Sequence, residues 1–302
     1  MLQCSKGAAG VVVIGMLAAL AAGCGSDNSN KSSSSPTPAA GTQKSSKVAA
    51  EVPAAIKKKG TLKVAADATY APNEFIGSNG KTVEGMDADL AAALAGVMGL
   101  RAQVVNATFD SIIPGLAAHK YDLGMSSFGD TKEREKTVDF VTYFRAGTSF
   151  FVKSSGGPSV TSLADLCGKS VTVEKGTTQQ ADVTAQTKKC TAAGKPSIKL
   201  QTFPDQNGAN LALSSGRAQV GMADSPVADY QVKKSGGQFK LTGKPYGVVP
   251  YGIALPKGTG LAKPVLDALK ELMSDGRYMA ILKKWAIQAG AISNPRINGA
   301  IS

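Results

Sequence analysis

The sequence has 302 residues, of which 43% are hydrophobic and 19% are charged, so it is long enough for one large domain or two lobes and is not a disordered chain. The formal net charge is +12, but the lysines occur as scattered pairs and one triplet, Lys57 to Lys59, without interleaved aromatic residues, so we expect no nucleic-acid partner. A basic surface facing an anionic membrane or cell wall explains the charge more simply.

The N-terminus has the form of a secretory signal. Lys6 precedes an apolar run, residues 7–23, which is too short and too rich in Ala and Gly for a membrane span. Cys24 directly follows small residues, an arrangement that resembles the bacterial lipobox, in which this cysteine is lipidated. Ala21 stands where Leu is usual in that motif, so secretion with an unmodified Cys24 is the alternative. We predict a signal peptide over 1–23, then a lipidated Cys24 and a flexible tether over 24–55, rich in Ser, Asn, Gly and Pro.

The cysteines sort by position. Cys4 lies in the predicted signal and Cys24 at the predicted lipidation point, which leaves Cys167 and Cys190. In an oxidising compartment, a pair without a histidine cluster favours a disulfide over a metal site. We therefore predict a disulfide between these two cysteines and no bound metal.

The first half of the folded sequence alternates strands with helices. The pattern predicts strands over 61–66, 101–105 and 123–127, and helices over 86–98 and from 109 to about 119. Such alternation is typical of βαβ units and a parallel sheet.

The stretch from Leu123 to Lys136 begins as a strand and turns into a helix that carries Arg134. Asp130 with Glu133 three residues later predicts a capping box at the helix start. Free N–H groups and a guanidinium at one place would suit a carboxylate. An ordinary strand, turn and helix with a solvated Arg134 is the alternative.

The pattern restarts after a small-residue crossing over 153–158. It predicts strands over 170–174, 198–202 and 219–223, and helices from 179 to 190, over 207–214, from Ser225, over 261–273 and over 277–285. A second crossing near 245–251 lets the last helices return to the first lobe. We predict a first lobe over 56–152 plus 247–302 and a second lobe over 153–246.

Polar residues close several predicted strands. In open α/β sheets, ligands bind beyond the carboxyl ends of strands, so these side chains should share a cleft. One Arg suits a carboxylate and one Asp suits an ammonium group, which together indicate a receptor for a free amino acid. The residues are Asp67, Ser126 with Ser127, Thr177 with Thr178, and Asp224.

Six segments, in order, resemble the family 3 solute-binding proteins, the polar amino-acid receptors of ABC importers. They are 60–72 (GTLKVAADATYAP), 85–90 (GMDADL), 109–116 (FDSIIPGL), 121–134 (YDLGMSSFGDTKER), 176–179 (GTTQ) and 216–224, from Gly216-Arg217 to Asp224. The resemblance covers about Gly60 to Trp285. It implies an α/β, two-lobe periplasmic-binding-protein fold of type II, with the ligand in the cleft between the lobes.

The resemblance also implies a role for each matched residue. Arg134 would clamp the ligand carboxylate, and Asp224 would take the α-ammonium group. Tyr70 and Phe109 match the aromatic pair around the ligand side chain, and Asp67 matches a residue near that side chain. Further groups are expected from Ser126, Ser127, Gly129, Thr178 and Gln179. The structural alternatives are that Asp67 and Asp224 only cap turns and that Tyr70 and Phe109 are core aromatic residues.

Three positions depart from the family pattern. Gly129 stands where Ser is common, Asn73 replaces an aromatic residue, and Gln219 replaces a frequent Asp. The first two weaken the substrate assignment more than the family assignment. Asp67 between aromatic faces favours a cationic or amide side chain over an acidic one, which leaves lysine, arginine, histidine and glutamine open.

We therefore expect the extracytoplasmic substrate-binding component of an ABC importer. It would be a monomer, lipid-anchored on the outer face of the cell membrane, that delivers a polar L-amino acid to a membrane permease. We expect no catalytic residue, no cofactor and no catalytic domain after Trp285. The alternative is a dehydratase-type enzyme on the same fold, acting on arogenate- or prephenate-like substrates.

Overall fold

A computed structural model describes residues 44–301. The helices are α1 (Ser46–Glu51), α2 (Ala54–Lys59), α3 (Met86–Val97), α4 (Phe109–Ala117), α5 (Lys132–Glu135), α6 (Thr178–Ala192), α7 (Gln206–Ser214), α8 (Ser225–Lys234), α9 (Ala262–Ser274) and α10 (Arg277–Lys284). The strands are β1 (Thr61–Ala66), β2 (Thr69–Tyr70), β3 (Glu74–Ile76), β4 (Val83–Glu84), β5 (Arg101–Asn106), β6 (Leu123–Gly124), β7 (Val138–Lys153), β8 (Ser170–Glu174), β9 (Lys199–Phe203), β10 (Val220–Asp224) and β11 (Phe239–Pro256). The predicted signal peptide, Cys24 and the tether up to residue 43 lie outside the described residues.

The main sheet has the strand order β5-β1-β6-β11-β7-β10-β8-β9. On one side β1 pairs in parallel with β5 and β6, and on the other β8 pairs in parallel with β9 and β10. Between them, β7 and β11 run antiparallel to each other and to their outer neighbours. The sheet is therefore mixed, with a parallel α/β unit at each end, as the βαβ pattern predicts.

The chain passes between these units along strands rather than loops. The sequence pattern predicted no strand over 138–152, yet β7 spans sixteen residues, and the predicted crossing at 245–251 lies inside β11. Most of β7 is buried on both faces, so its side chains lack the apolar and polar alternation by which a strand is recognised. The predicted lobe boundaries stay a prediction.

Two hydrophobic cores flank the central strands. Leu62 of β1, Leu94 of α3, Leu269 of α9 and Leu282 of α10 share the larger core, so the C-terminal helices return to the first half of the chain. The smaller core contains Phe150 of β7 with residues of β8, α6 and β10. The last helices therefore pack in the core of the first half of the chain.

Ordered structure begins earlier than the predicted tether allows. Residues 46–55 form α1 and the start of α2, where Ser45 caps α1 by accepting a hydrogen bond from the Val48 amide. Val48 and Val52 are buried in the larger core. These two valines anchor the segment, so residues 46–55 belong to the folded domain.

Cys167 and Cys190 form a disulfide that ties the segment before β8 to the end of α6, with Cα atoms 5.7 Å apart. Within residues 44–301, none of the helices is long and apolar enough to cross a membrane.

Replacing both cysteines by serine (Cys167→Ser with Cys190→Ser) should lower the free energy of unfolding by about 3 kcal/mol, because the unfolded chain regains the freedom of a closed loop. Urea denaturation measures this loss. A reductant should lower the stability of the native protein by a similar amount and leave the double variant unchanged. Equal stability of oxidised and fully reduced native protein would contradict the prediction.

Candidate functional site

A small cavity of about 10 Å³ lies at the carboxyl ends of β1, β8 and β10 and beyond β6, where the closed cleft leaves little free space. Its wall contains every ligand-binding residue predicted from the sequence except Gly129, and it adds Glu174. The lining residues are Asp67, Tyr70, Phe109, Ser126, Ser127, Arg134, Glu174, Thr177, Thr178, Gln179 and Asp224. The strand-end argument therefore leads to one place in the fold.

Arg134 joins the two sides of the cavity. Its Nη1 donates to the Gly129 carbonyl at 2.9 Å, and its Nη2 donates to the Gly176 carbonyl, before α6, at 3.0 Å. The guanidinium carbon lies 5.3 Å from the Phe109 ring centroid and 5.4 Å from that of Phe128. Burial lowers the pKa of Arg134 to about 10, so the side chain is still a cation at neutral pH. Gly129, predicted to supply an N–H group, contributes its carbonyl to Arg134.

The predicted capping box is wrong. Thr131 is the N-cap of α5, and its hydroxyl accepts a hydrogen bond from the Arg134 amide at 3.3 Å. Asp130 instead accepts from the Gly299 amide at 2.8 Å, and burial raises its pKa to about 7. Because α5 is only one turn long, Arg134 itself is the main anion-binding group in this stretch.

Asp224 ends β10, and both of its carboxyl oxygens are held. Tyr251 donates its hydroxyl to Oδ2 at 2.5 Å, and Gln179 donates Nε2 to Oδ1 at 2.7 Å. The Asp224 amide donates to the Tyr70 hydroxyl oxygen at 2.9 Å. Burial raises the pKa of Asp224, although Tyr251, Gln179 and the charge of Arg134 oppose this rise. Asp224 is thus a positioned acceptor with lone pairs left for a ligand cation.

Asp67 ends β1 and is also fixed in place. Thr69 donates its hydroxyl to Oδ1 at 2.6 Å, and the Phe109 amide donates to Oδ2 at 2.9 Å. Its own amide donates to the Ser126 hydroxyl at 2.8 Å. Burial raises the pKa of Asp67 despite these hydrogen bonds.

Glu174 is the site residue that the sequence reasoning missed. It is the last residue of β8, as Asp224 is the last of β10, so the same strand-end rule would have found it. Its side chain is 2% exposed, and no described residue makes a hydrogen bond to Oε1. Burial is the largest cause that raises the Glu174 pKa well above its ordinary value, and the charge of Asp67 is the next.

The two predicted aromatic residues make different contacts. Phe109 stacks on Phe128, with ring centroids 4.5 Å apart and planes 24° from parallel. Tyr70 is 6% exposed and packs with Phe151 and Val227 in a separate cluster. Both rings belong to hydrophobic clusters and also border the cavity, so they pack in the core and their role in binding stays a prediction.

A buried acidic pair supports Ser127, which has a positive φ of 53°. The Ser127 amide donates to Asp87 Oδ2 at 2.9 Å, and its hydroxyl donates to Glu74 Oε2 at 3.2 Å. Asn73 donates to the Ser127 hydroxyl at 2.9 Å, and Tyr143 donates to Asp87 Oδ1 at 2.6 Å. These contacts hold the strained backbone conformation of Ser127 beside the cavity.

Direct contacts close the cleft in this structure. Lys175, next to Glu174, forms an ion pair with Asp110 of α4 at 2.8 Å. The Gln206 amide at the start of α7 donates to the Thr69 hydroxyl at 3.1 Å. With the contact between Arg134 and Gly176, these interactions join the β1 side of the sheet to the β8 side.

Residues 62–288 match the model of the bacterial extracellular solute-binding proteins, family 3. The chain is 31% identical over 252 residues to the arginine-binding protein ArgT of Corynebacterium glutamicum, covering 83% of this chain and 82% of that one. An ancestral arginine-binding protein bound to arginine superposes with a TM-score of 0.69 at 37% identity, covering 75% of this chain and 98% of that one. The ancestral amino-acid-binding protein AncCDT-1, a precursor of cyclohexadienyl dehydratase, superposes with a TM-score of 0.69 at 35% identity, covering 76% of this chain and 97% of that one.

Glu74→Gln should make the protein more stable at alkaline pH by about 1 kcal/mol or more. Burial is the largest cause of the raised pKa of both carboxyls. The pKa of Glu74 lies well above its ordinary value, and that of Asp87 is raised to about 6. Groups with raised folded-state pKa values contribute stability at low pH that is lost as the pH rises through those values. Stability should therefore fall from about pH 4 to above about pH 6 in the native protein, and less so in the variant.

Urea denaturation at a series of pH values measures the effect. Glu84→Gln, an exposed residue of the neighbouring strand β4, removes the same charge without relieving a buried pair. It should follow the native protein at every pH. A Glu74→Gln variant with the native pH profile would contradict the assigned role of the acidic pair.

Proposed function

The chain belongs to family 3 of the bacterial extracellular solute-binding proteins, and from this membership we propose that it is the substrate-binding component of an ABC importer for a polar amino acid. The observation that carries the proposal is that Arg134 and Asp224 border the same cavity. Arg134 follows β6 and Asp224 ends β10, so the two residues come from either side of the central strands β7 and β11. A free amino acid has a carboxylate and an ammonium group one carbon apart. A guanidinium and a carboxylate facing one cavity complement that pair of charges.

The binding role of Arg134 uses donors that the closed cleft leaves available. Its Nη1 and Nη2 each donate to one backbone carbonyl, and a guanidinium has five N–H donors in a planar fork. The remaining donors fit the two oxygens of a ligand carboxylate. Ser127 and Thr178 border the same region and offer further hydrogen bonds to that carboxylate.

Ligand capture proceeds by opening and closing of the cleft around β7 and β11. A ligand that contacts Arg134 on one side and Asp224 on the other binds the closed form better than the open form. The equilibrium then shifts by that difference in affinity. The closed form is the one that would dock on the membrane permease.

The side chain of the ligand is proposed to be cationic or amide. ArgT of Corynebacterium glutamicum and the ancestral protein bound to arginine support a cationic ligand. Asp67 also supports a cationic ligand. Its buried carboxyl borders the cavity and accepts hydrogen bonds from Thr69 and the Phe109 amide, and no described Lys or Arg forms an ion pair with it. An acidic side chain would place like charges together.

We also propose the location and anchoring of the protein. Cys24 is the lipidated residue, and the chain is a monomer held on the outer face of the cell membrane by a lipid and a short tether. Residues 56–152 with 247–302 form the first lobe, and residues 153–246 form the second.

An enzyme of the dehydratase type is the second candidate. One support is the similar ancestral protein that is a precursor of cyclohexadienyl dehydratase. The other is the buried Glu174 carboxyl, whose raised pKa suits a proton donor. Product formation from prephenate or arogenate would favour this candidate.

A panel of the twenty amino acids, tested by calorimetry and thermal unfolding on protein freed of bound ligand, should identify one or a few that stabilise the fold. A ligand at about 100 times its dissociation constant adds about 2.7 kcal/mol of stability. A folded, ligand-free protein that responds to none of the twenty would overturn the proposed function.

Arg134→Lys should weaken amino-acid binding tenfold or more, about 1.4 kcal/mol, because lysine keeps the charge and loses the planar fork. Calorimetric titration measures the change. Arg101→Lys, at the exposed start of β5, is the matched control and should bind like the native protein. Unchanged affinity in Arg134→Lys would remove Arg134 from the site.

A further inference from the structure

Glu174 is a buried carboxyl without a complete set of hydrogen bonds. Its side chain is 2% exposed and borders the cavity, and its Oε1 has no partner within residues 44–301. A buried polar group in this condition is unfavourable, and more so if it is charged. The fold retains this unfavourable arrangement beside its binding cavity.

The charged groups around Glu174 make its burial still less favourable. Asp67 at the end of β1, Asp205 before α7 and Asp224 at the end of β10 all place negative charge near it, and Tyr70 is the neutral titratable neighbour. Lys175 is adjacent in sequence, but its Nζ pairs with Asp110. Among the described residues, the charged groups with the largest influence on Glu174 are therefore carboxylates, and Arg134, the cation of the same cavity, donates to the Gly129 and Gly176 carbonyls.

We propose that Glu174 and Asp67 together form a subsite for the guanidinium of a ligand side chain, which makes the protein selective for arginine. This inference rests on the proposed function. Asp67 is already oriented by Thr69 and the Phe109 amide, whereas Glu174 has a free oxygen. A guanidinium can donate to two carboxylates at once because its N–H groups lie in one rigid plane.

Arginine matches the charges of the whole cavity. Its carboxylate faces Arg134, its ammonium group faces Asp224, and its guanidinium faces Asp67 and Glu174. Lysine provides one compact charge with three donors and satisfies the two carboxyls less completely. Glutamine and citrulline provide no charge, and they leave the acidic pair without compensation.

The subsite couples binding to a proton. Burial and the charge of Asp67 raise the pKa of Glu174, so the ligand-free protein keeps the proton of this carboxyl to a higher pH than an exposed glutamate does. An arriving guanidinium stabilises the carboxylate, and the O–H bond breaks with release of the proton to solvent. Arginine binding therefore releases protons and strengthens as the pH rises.

Calorimetric titration of the full chain with L-arginine, L-lysine and L-citrulline tests the subsite. Citrulline has the shape of arginine and a neutral urea group. The native protein should bind arginine about 30-fold or more tighter than citrulline. Glu174→Gln should lower this ratio tenfold or more and bind citrulline at least as well as the native protein does. Titrations in two buffers of different ionisation enthalpy should show proton release with the native protein and less with the variant.

Glu133→Gln is the matched control, since its side chain is 81% exposed and lies outside the cavity wall. It should keep the native arginine to citrulline ratio and the native proton release. Equal affinity of the native protein for arginine and citrulline would overturn the subsite and leave amino-acid capture standing, and this measurement requires no variant. An unchanged ratio in a folded Glu174→Gln variant would also overturn it. Binding of no amino acid would reject the proposed function itself.

Discussion

The antiparallel pairing of β7 with β11 is the constraint on which the rest of the structure depends. These two long strands separate the parallel unit of β1, β5 and β6 from that of β8, β9 and β10, so they set the spacing between the two units of the main sheet. Their register shifts between Thr242 and Tyr246 and again between Tyr246 and Val249. Such irregular positions can absorb the backbone changes of a hinge without loss of the flanking ladders.

Strand β11 of this central pair also contacts residues at the cavity. Tyr251 of β11 donates to Asp224, and its backbone forms an isolated bridge with Gly129, whose carbonyl accepts from Arg134. A change in the path of β11 would therefore move the supports of both proposed zwitterion-binding groups. The strand that joins the two halves also sets the spacing between their charges.

Local patterns were sufficient for much of this site and failed where tertiary contacts decide. The βαβ alternation and the strand-end rule brought Asp67, Ser127 and Asp224 to one cavity because parallel strands end at the same edge. The sequence pattern missed β7, since burial on both faces removes the periodicity that marks a strand. Asp130 was taken for a cap because its contact with Gly299 joins residues 169 positions apart, which no local pattern encodes. Glu174 differs from these, because it ends β8 and the strand-end rule therefore applies to it.

The distribution of charge explains why this cavity is suited to a ligand rather than to stability. Arg134 is the one cationic side chain among the described cavity-lining residues, and it shares the cavity with Asp67, Glu174 and Asp224. Three buried carboxyls beside one cation are unfavourable in the empty protein. Burial raises the pKa of all three, which means that their charged forms are disfavoured there. A ligand that carries positive charge removes the imbalance only when both halves of the sheet surround it. The unfavourable energy of the empty cavity thus becomes part of the difference in affinity that closes the cleft.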